Sequence, residues 1–129
     1  KQLRYGVEMI GHHKMIEVDP NLMVRVFENL IANALKYGVG AHYINITIEE
    51  NLEREMVLHV CNDGRPIEEG NQKKIFERFY RAEKDEDKKE GSGVGLAVVK
   101  AIVSLHQGEI KVISNQVKTD FVITLPHSD

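Results

Sequence analysis

Three separated stretches of this chain carry residue types spaced for chemistry. In the first, Asn29, Asn33 and Lys36 recur at helical spacing with Tyr37 beside them, which puts all four on one face at the rim of an apolar stripe. The amide oxygen of Asn is a neutral, hard ligand suited to Mg²⁺, which prefers oxygen and keeps several of its waters. Lys36 adds a cation for phosphates. Two solvent-facing Asn of poor helix propensity would look the same in isolation. The second stretch is Cys61-Asn62-Asp63-Gly64-Arg65-Pro66-Ile67. It reads either as a plain turn or as a strand end whose Asn accepts from a base's exocyclic amino group and donates to a ring nitrogen. The third is Gly91-Ser92-Gly93-Val94-Gly95-Leu96-Ala97, which runs straight into an apolar helix. Glycines let backbone approach phosphate closely, and a helix N-terminus presents free N–H groups and positive potential. A charged loop precedes this stretch, whereas a Rossmann dinucleotide site needs a strand there. The Gly-Lys-Ser/Thr ending of a P-loop is also missing. A flexible hinge is the plain alternative.

The elements that must position these residues are legible in outline. Residues 3–10 and 15–18 read as short strands around Gly11-His12-His13. Asp19-Pro20 is a helix start, because Asp caps free N–H groups and Pro loses nothing at the first helical position. The helix is expected from Pro20 to Lys36 or Tyr37, with Gly38 as its stop. Met23, Phe27, Leu30, Ile31 and Ala34 are its expected core stripe. Ile44, Ile46 and Ile48 alternate with polar neighbours over 43–50, as on a half-buried strand. A partner strand covers 56–61, a short helical piece 71–80, and a charged loop 81–93. A second helix is expected from Val94 to His106, stopped near Gly108. Strands over 109–114 and 120–125 close the chain at Pro126. The expected fold class is a two-layer α/β (α+β) sandwich, a mixed and mostly antiparallel sheet covered on one face by helices.

The chain's 129 residues make one domain, 1–129. Its formal net charge of −3 gives no electrostatic reason to expect nucleic acid or an acidic membrane surface as partner. With Cys61 as the single cysteine there is no internal disulfide, which fits a reducing compartment. No apolar run approaches the roughly 20 residues needed to cross a bilayer. Lys1 stands where an initiator Met would, as in a piece of something larger.

Together and in this order, the motifs resemble the ATPase fold shared by histidine kinases, Hsp90-type chaperones, type II topoisomerases and MutL-type repair proteins. Asn29-Leu-Ile-Ala-Asn33-Ala-Leu-Lys36-Tyr37 resembles the histidine-kinase Asn box. Ile75-Phe76-Glu77-Arg78-Phe79-Tyr80-Arg81 resembles the Phe box, which the chaperone and topoisomerase branches lack. Gly91–Leu96 resembles the second glycine box, and Leu105–Ile110 with Thr119-Asp120-Phe121 the closing strands. The likeness spans about Glu17 to Pro126. It implies ATP and Mg²⁺ as ligands, with Asn33 on the metal and Asn29 nearby on the same helix face. Asn29, Asn33 and Lys36 would be the catalytic residues. Lys36 and Tyr37 would lie by the phosphates and ribose, with 81–93 as a lid over them and Arg81 as a phosphate contact. Gly93 and Gly95 would offer backbone N–H groups, flanked by Gly91, Ser92, Val94 and Leu96. Thr119 would lie near the adenine, with Gly64, Ile67 and Phe79 completing the nucleotide contacts.

Two departures qualify the likeness. The family's turn is Asp-x-Gly-x-Gly, its Asp holding the adenine amino group. Here that position is Asn62 and the second glycine is Pro66, so the acceptor oxygen is kept and the charge lost; Asp63 is a second candidate. An Asn-x-Gly-x-Pro-Ile turn resembles a subgroup of Gram-positive cell-envelope-stress and antibiotic-responsive kinases. The Glu that activates water in the chaperone and repair branches aligns with Asn29, so transfer to a protein acceptor is expected over hydrolysis. The implied protein is a histidine kinase whose phosphoacceptor, or dimerisation, hairpin lies upstream of Lys1. A response regulator is its indirect partner. The fragment would be a cytoplasmic monomer without membrane contact, its parent in the cell membrane. A degenerate nucleotide- or partner-binding module and a hydrolysing ATPase are the alternatives. His12 and His13 read as exposed structural histidines, and Cys61 as a packed thiol.

Overall fold

The structure, a computed structural model, describes residues 4–10, 18–37, 41–77 and 95–126, with 4–10, Lys36 and Tyr37 as backbone alone. Its elements are β1 (Arg4–Ile10), α1 (Pro20–Tyr37), β2 (Tyr43–Glu50), β3 (Met56–Asn62), α2 (Gly95–Leu105), β4 (Glu109–Ser114) and β5 (Thr119–Leu125). They form one sheet in the order β1-β2-β3-β5-β4. β1 and β2 are parallel, and every other pairing is antiparallel. The expected mixed, mostly antiparallel sheet is therefore the one found. Expectations for 15–17, His12, His13, Gly38, Phe79, Arg81 and 91–94 lie outside the described residues.

The sheet's two faces differ because side chains alternate along a strand. Ile44, Leu58, Val60, Val112, Phe121, Ile123 and Leu125 form one core with Met23, Val26, Leu30 and Ala34 of α1 and Val99, Ile102 and Val103 of α2. Both helices thus cover the same face. The buried stripe of α1 is centred on Val26 and Leu30, each 0% exposed, while Phe27 and Ile31, expected in the core, are half-buried. The stripe is turned toward the Asn29 side because α2 packs against α1 there: a side chain added at Gly95 of α2 would meet Asn29. On the opposite flank Val24, Phe27, Ile31 and Leu35 line a shallow apolar groove.

Local chemistry fixes where each helix begins and ends. Asp19 Oδ1 accepts from the N–H groups of Asn21 and Leu22 at 3.0 and 3.2 Å, capping α1 as the sequence leads one to expect. At the end of α2, Gln107 N–H donates to Ser104 O and Gly108 N–H to Val103 O, both at 2.9 Å, with Gln107 at φ 61°. That is a Schellman end whose left-handed residue is Gln107, not the glycine. Gly108 is needed for a different reason: a Cβ there would lie 2.5 Å from the carbonyl oxygen of Thr124. The His106 ring then joins the two helices. Its Nε2 accepts from Asp19 N–H at 3.0 Å, so Nδ1 must donate to Ile102 O at 2.8 Å, which fixes the neutral tautomer.

Two expectations are corrected. Of the helical piece expected over 71–80, residues 78–80 lie outside the described residues, and the rest holds 3-10 turns, Glu69–Asn71 and Lys74–Phe76, because anchoring governs this stretch more than helix propensity. Ile75 is buried, and Phe76 packs edge-on against Phe121 with ring centroids 6.3 Å apart. Strand β3 runs one residue further than expected and ends on Asn62, which also opens the turn through its bond from Gly64 N–H.

Candidate functional site

One end of the sheet gathers the chemistry. α1 runs toward it, since Tyr43 opens β2 soon after Tyr37 and Ile44 pairs with Asn62. α2 begins there, because its far end passes through Gly108 onto Thr124, at the other end of β5 from Thr119. The start of α1 beside the end of α2, joined through His106, makes the helices antiparallel. The Asn33–Tyr37 end of α1 and the Gly95 end of α2 therefore meet over the Asn62–Thr119 end of the sheet.

At that end the helix-facing rows turn from apolar to polar. Along β3 the row is Leu58, Val60, Asn62; along β5 it runs back from Ile123 through Phe121 to Thr119; along β4 it passes from Val112 to Ser114. Asn62 pairs across from Thr119, and Thr119 from Ser114, so three polar side chains stand abreast. Asn62 and Thr119 are buried at 5% and 2% exposure. A buried polar row at the margin of a core requires partners. Asn62 Oδ1 accepts from Gly64 N–H at 2.8 Å, and the hydroxyls of Thr119 and Ser114 are 2.6 Å apart. The oxygen expected to meet a base thus also closes the turn, with a second lone pair remaining.

Asp63, the second candidate at this turn, is engaged elsewhere. Its Oδ1 accepts from the N–H groups of His42 and Tyr43 at 2.7 and 3.2 Å, and its Oδ2 lies 3.2 Å from His42 Nδ1. Burial works to raise its pKa, but these hydrogen bonds outweigh it and hold the carboxyl below the usual range. Asp63 fastens the turn to the start of β2, and Asn62 occupies the helix-facing position.

On the helix side, a side chain built on Gly95 would come 3.4 Å from Asn29 Oδ1, so the Asn29 amide lies at the mouth of α2. Asn33 is half-buried one turn further along α1. Ile67 and Leu96 are half-buried and pack on the core. The side chains of Lys36 and Tyr37 lie outside the described residues, as do Phe79, Arg81, Gly91, Ser92, Gly93 and Val94. Among the described residues no cluster of three His, Cys, Asp or Glu is placed to hold a metal. Among the described residues, the oxygen donor placed beside the start of α2 is the Asn29 amide, which fits an ion bound chiefly by waters and a ligand's own phosphates.

The sequence reading missed Ser114 and Gln72. Ser114 Oγ accepts from Ile67 N–H at 2.8 Å, and Gln72 Nε2 donates to Ile67 O at 3.1 Å and Ser114 O at 3.3 Å. The signal for Ser114 was its place at the polar end of an alternating strand; Gln72 had none. The sheet face turned away from the helices holds a second cluster, with His59 between Asp120 Oδ2 and Glu49 Oε1, each at 2.9 Å. Cys61 is on this face too; burial, then the Asp120 charge, raises its pKa and keeps it a thiol.

A two-layer sandwich with an Asn-bearing helix, a capped strand end and a glycine-opened helix converging at one margin defines a nucleotide-dependent ATPase class. Residues 18–129 match the family of histidine kinase-, DNA gyrase B- and HSP90-like ATPases, and the chain belongs to it. Several of its relatives are sensor kinases. It is 39% identical over 113 residues to the probable sensor kinase SilS of Salmonella typhimurium, covering 87% of this chain and 22% of that protein. To the sensor histidine kinase CusS of Escherichia coli K12 it is 38% identical over 124 residues, 94% of this chain and 26% of CusS. To the sensor protein kinase WalK of Staphylococcus haemolyticus it is 39% identical over 113 residues, 85% of this chain and 19% of WalK. The resemblance therefore reaches beyond the subgroup suggested by the Asn62–Ile67 turn. The solved catalytic domain of histidine kinase ThkA superposes with a TM-score of 0.81 at 25% identity, covering 97% of this chain and 79% of that one. The chain is thus a histidine-kinase ATPase domain that spans about a quarter or less of the curated relatives named.

Proposed function

We propose that this chain is one catalytic domain, residues 1–129, that binds Mg²⁺·ATP between the two helices and the polar end of the sheet. In a longer sensor kinase it would present the γ-phosphate to a histidine on a separate helical hairpin, with a response regulator receiving the phosphate afterwards. The convergence of Asn29 and Gly95 over the Asn62–Thr119–Ser114 row carries this reading. Asn62 would accept from the adenine amino group through its remaining lone pair, with Thr119 beside it. Gly64 and Ile67 would border the base, and Gly93 and Gly95 would turn their N–H groups to the phosphates. Lys36, Tyr37, Phe79, Arg81, Gly91, Ser92, Val94 and Leu96 would line the rest.

Asn33, with Asn29 near, would hold Mg²⁺, which when bound neutralises phosphate charge. The chain's own part would be mostly positioning and electrostatic stabilisation, as phosphoryl transfer requires. Asn29 stands where a general base would otherwise be, so transfer is favoured over hydrolysis. The Asn29 amide beside the start of α2 supports such a role. No helix among the described residues is long and apolar enough to cross a membrane. The expected setting is the cytoplasmic side of a membrane-bound parent, with the isolated domain a monomer.

ATP titrations with and without Mg²⁺, on wild type and Asn33→Ala, test the reading. Mg²⁺-dependent affinity that falls roughly 10-fold or more in the variant is expected. Unchanged Mg²⁺ dependence sinks the ligand assignment. The amide at Asn62, where the family has a carboxylate, favours a second reading, a nucleotide- or partner-binding module without transfer. Mixing the domain with a cognate hairpin and labelled ATP separates the two, since bound ATP without histidine-linked phosphate selects the module.

A further inference from the structure

Ser114 closes the polar row and Gln72 lies beside it, and the assignments above give neither a contact with the nucleotide. Ser114 Oγ makes two contacts at once, accepting from Ile67 N–H at 2.8 Å and meeting Thr119 Oγ1 at 2.6 Å. Gln72 spans the same two segments from the other side, donating to the carbonyls of Ile67 and Ser114. The two segments come from different parts of the fold: Ile67 ends the turn after β3, and Ser114 ends β4, with Thr119 across the hairpin. A cleft of about 440 Å³ lined by Pro66, Ile67, Gln72, Val112 and Ser114 opens behind the turn. Among the described residues, side-chain packing leaves that flank of the Ile67 backbone open, and the Ser114 and Gln72 hydrogen bonds hold it.

We infer that Ser114, clamped with Gln72, is a specificity-determining positioning residue for the purine edge: it fixes both the direction of the Thr119 hydroxyl and the height of the Ile67 backbone. The inference rests on the adenine reading of the Asn62–Thr119 end. Its physical basis is hydrogen-bond directionality. A hydroxyl has one proton and two lone pairs; Ser114 accepts from Ile67 on one of them, and either hydroxyl of the Ser114–Thr119 pair can be the donor. When Ser114 donates to Thr119, the Thr119 proton is freed toward the pocket, where it meets the ring-nitrogen acceptor of a 6-amino purine. The 6-oxo purines carry an N–H at that ring position and would face a donor against a donor. Without Ser114 the Thr119 hydroxyl rotates freely and this discrimination relaxes. Gln72 is also the residue that follows the first 3-10 turn and precedes the Ile75–Phe76 anchor, so the clamp links the base pocket to the Phe76–Phe121 contact.

The experiment compares ATP and inosine triphosphate binding by calorimetry on wild type, Ser114→Ala, Ser114→Thr and Gln72→Ala, with denaturant unfolding of each. Ser114→Ala is expected to weaken ATP roughly 3- to 10-fold and inosine triphosphate much less, so that the ATP preference shrinks. Ser114→Thr keeps the hydroxyl and restores the preference, and Gln72→Ala weakens ATP in the same direction by a smaller factor. Equal losses for both nucleotides, or losses that track stability alone, overturn the inference. Wild type that binds ATP with a Ser114→Ala variant indistinguishable from it overturns the inference and leaves the adenine reading standing. Wild type that binds neither nucleotide overturns both.

Discussion

Gly95 begins α2 with its missing side chain directed at Asn29. A Cβ there would stand 3.4 Å from Asn29 Oδ1 and 3.8 Å from its Cγ, an ordinary van der Waals approach. Gly95→Ala therefore fits the nucleotide-free protein without moving backbone. Ala is preferred over Gly in helices by up to about 1 kcal/mol, less at the first turn, so stability should be unchanged or slightly raised. At this chain's size that corresponds to a melting temperature rise of no more than roughly 3–5 °C. Binding should move the other way. The methyl group fills the gap between the Asn29 amide and the start of α2, through which a phosphate would reach the backbone N–H. Losing one charge-assisted hydrogen bond costs about 1.5–3 kcal/mol, or roughly 10- to 100-fold in affinity. Calorimetric titration of ATP against both proteins, beside thermal unfolding without nucleotide, reads the two effects separately. Unchanged ATP affinity would refute the placement of phosphate at the α2 N-terminus. A melting temperature that falls along with affinity would show that the glycine serves packing instead.

Three further outcomes concern stability. Burial disfavours charge on His59, but the hydrogen bonds to Asp120 and Glu49 outweigh it and raise its pKa above the usual value. The protonated ring's contribution is then complete below about pH 6.5 and is lost as pH rises through the folded value. With the His59 side chain 24% exposed, His59→Gln should cost about 1 kcal/mol at pH 6. Urea midpoints should show the gap to wild type closing toward pH 9, and a gap that widens refutes the cross-strand cation. Gly108→Ala drives a Cβ to 2.5 Å from the Thr124 carbonyl and 2.8 Å from Leu125 Cδ2. It should destabilise by about 2–3 kcal/mol in denaturant unfolding. Gln107→Gly relieves the left-handed φ of 61° and should stabilise by about 0.5 kcal/mol. Together the last two test whether the end of α2 needs glycine for close approach or for backbone conformation.

Local signals were enough for the elements. The Asp19-Pro20 pair set the start of α1, and isoleucines at alternate positions marked β2, because capping and two-residue periodicity act between near neighbours. The order of the Asn29–Tyr37, Ile75–Arg81 and Gly91–Leu96 motifs also carried the family resemblance. Other features depend on distant residues meeting. The 3-10 turns around Ile75 follow from Phe76 finding Phe121, a contact between segments far apart in sequence. The shift of the α1 stripe onto Val26 required α2 to pack along the Asn29 flank. Asp63 and Asn62 were both acceptors at one turn until the His42 and Tyr43 N–H groups engaged Asp63. The same holds for Ser114 and Gln72, whose partners come from other strands and loops. Capping residues, periodicities and motif order are properties of neighbouring residues, so the sequence determined them by itself. Which carboxylate, amide or hydroxyl faces the pocket depends on register between strands and on helix packing, so the tertiary structure decided it.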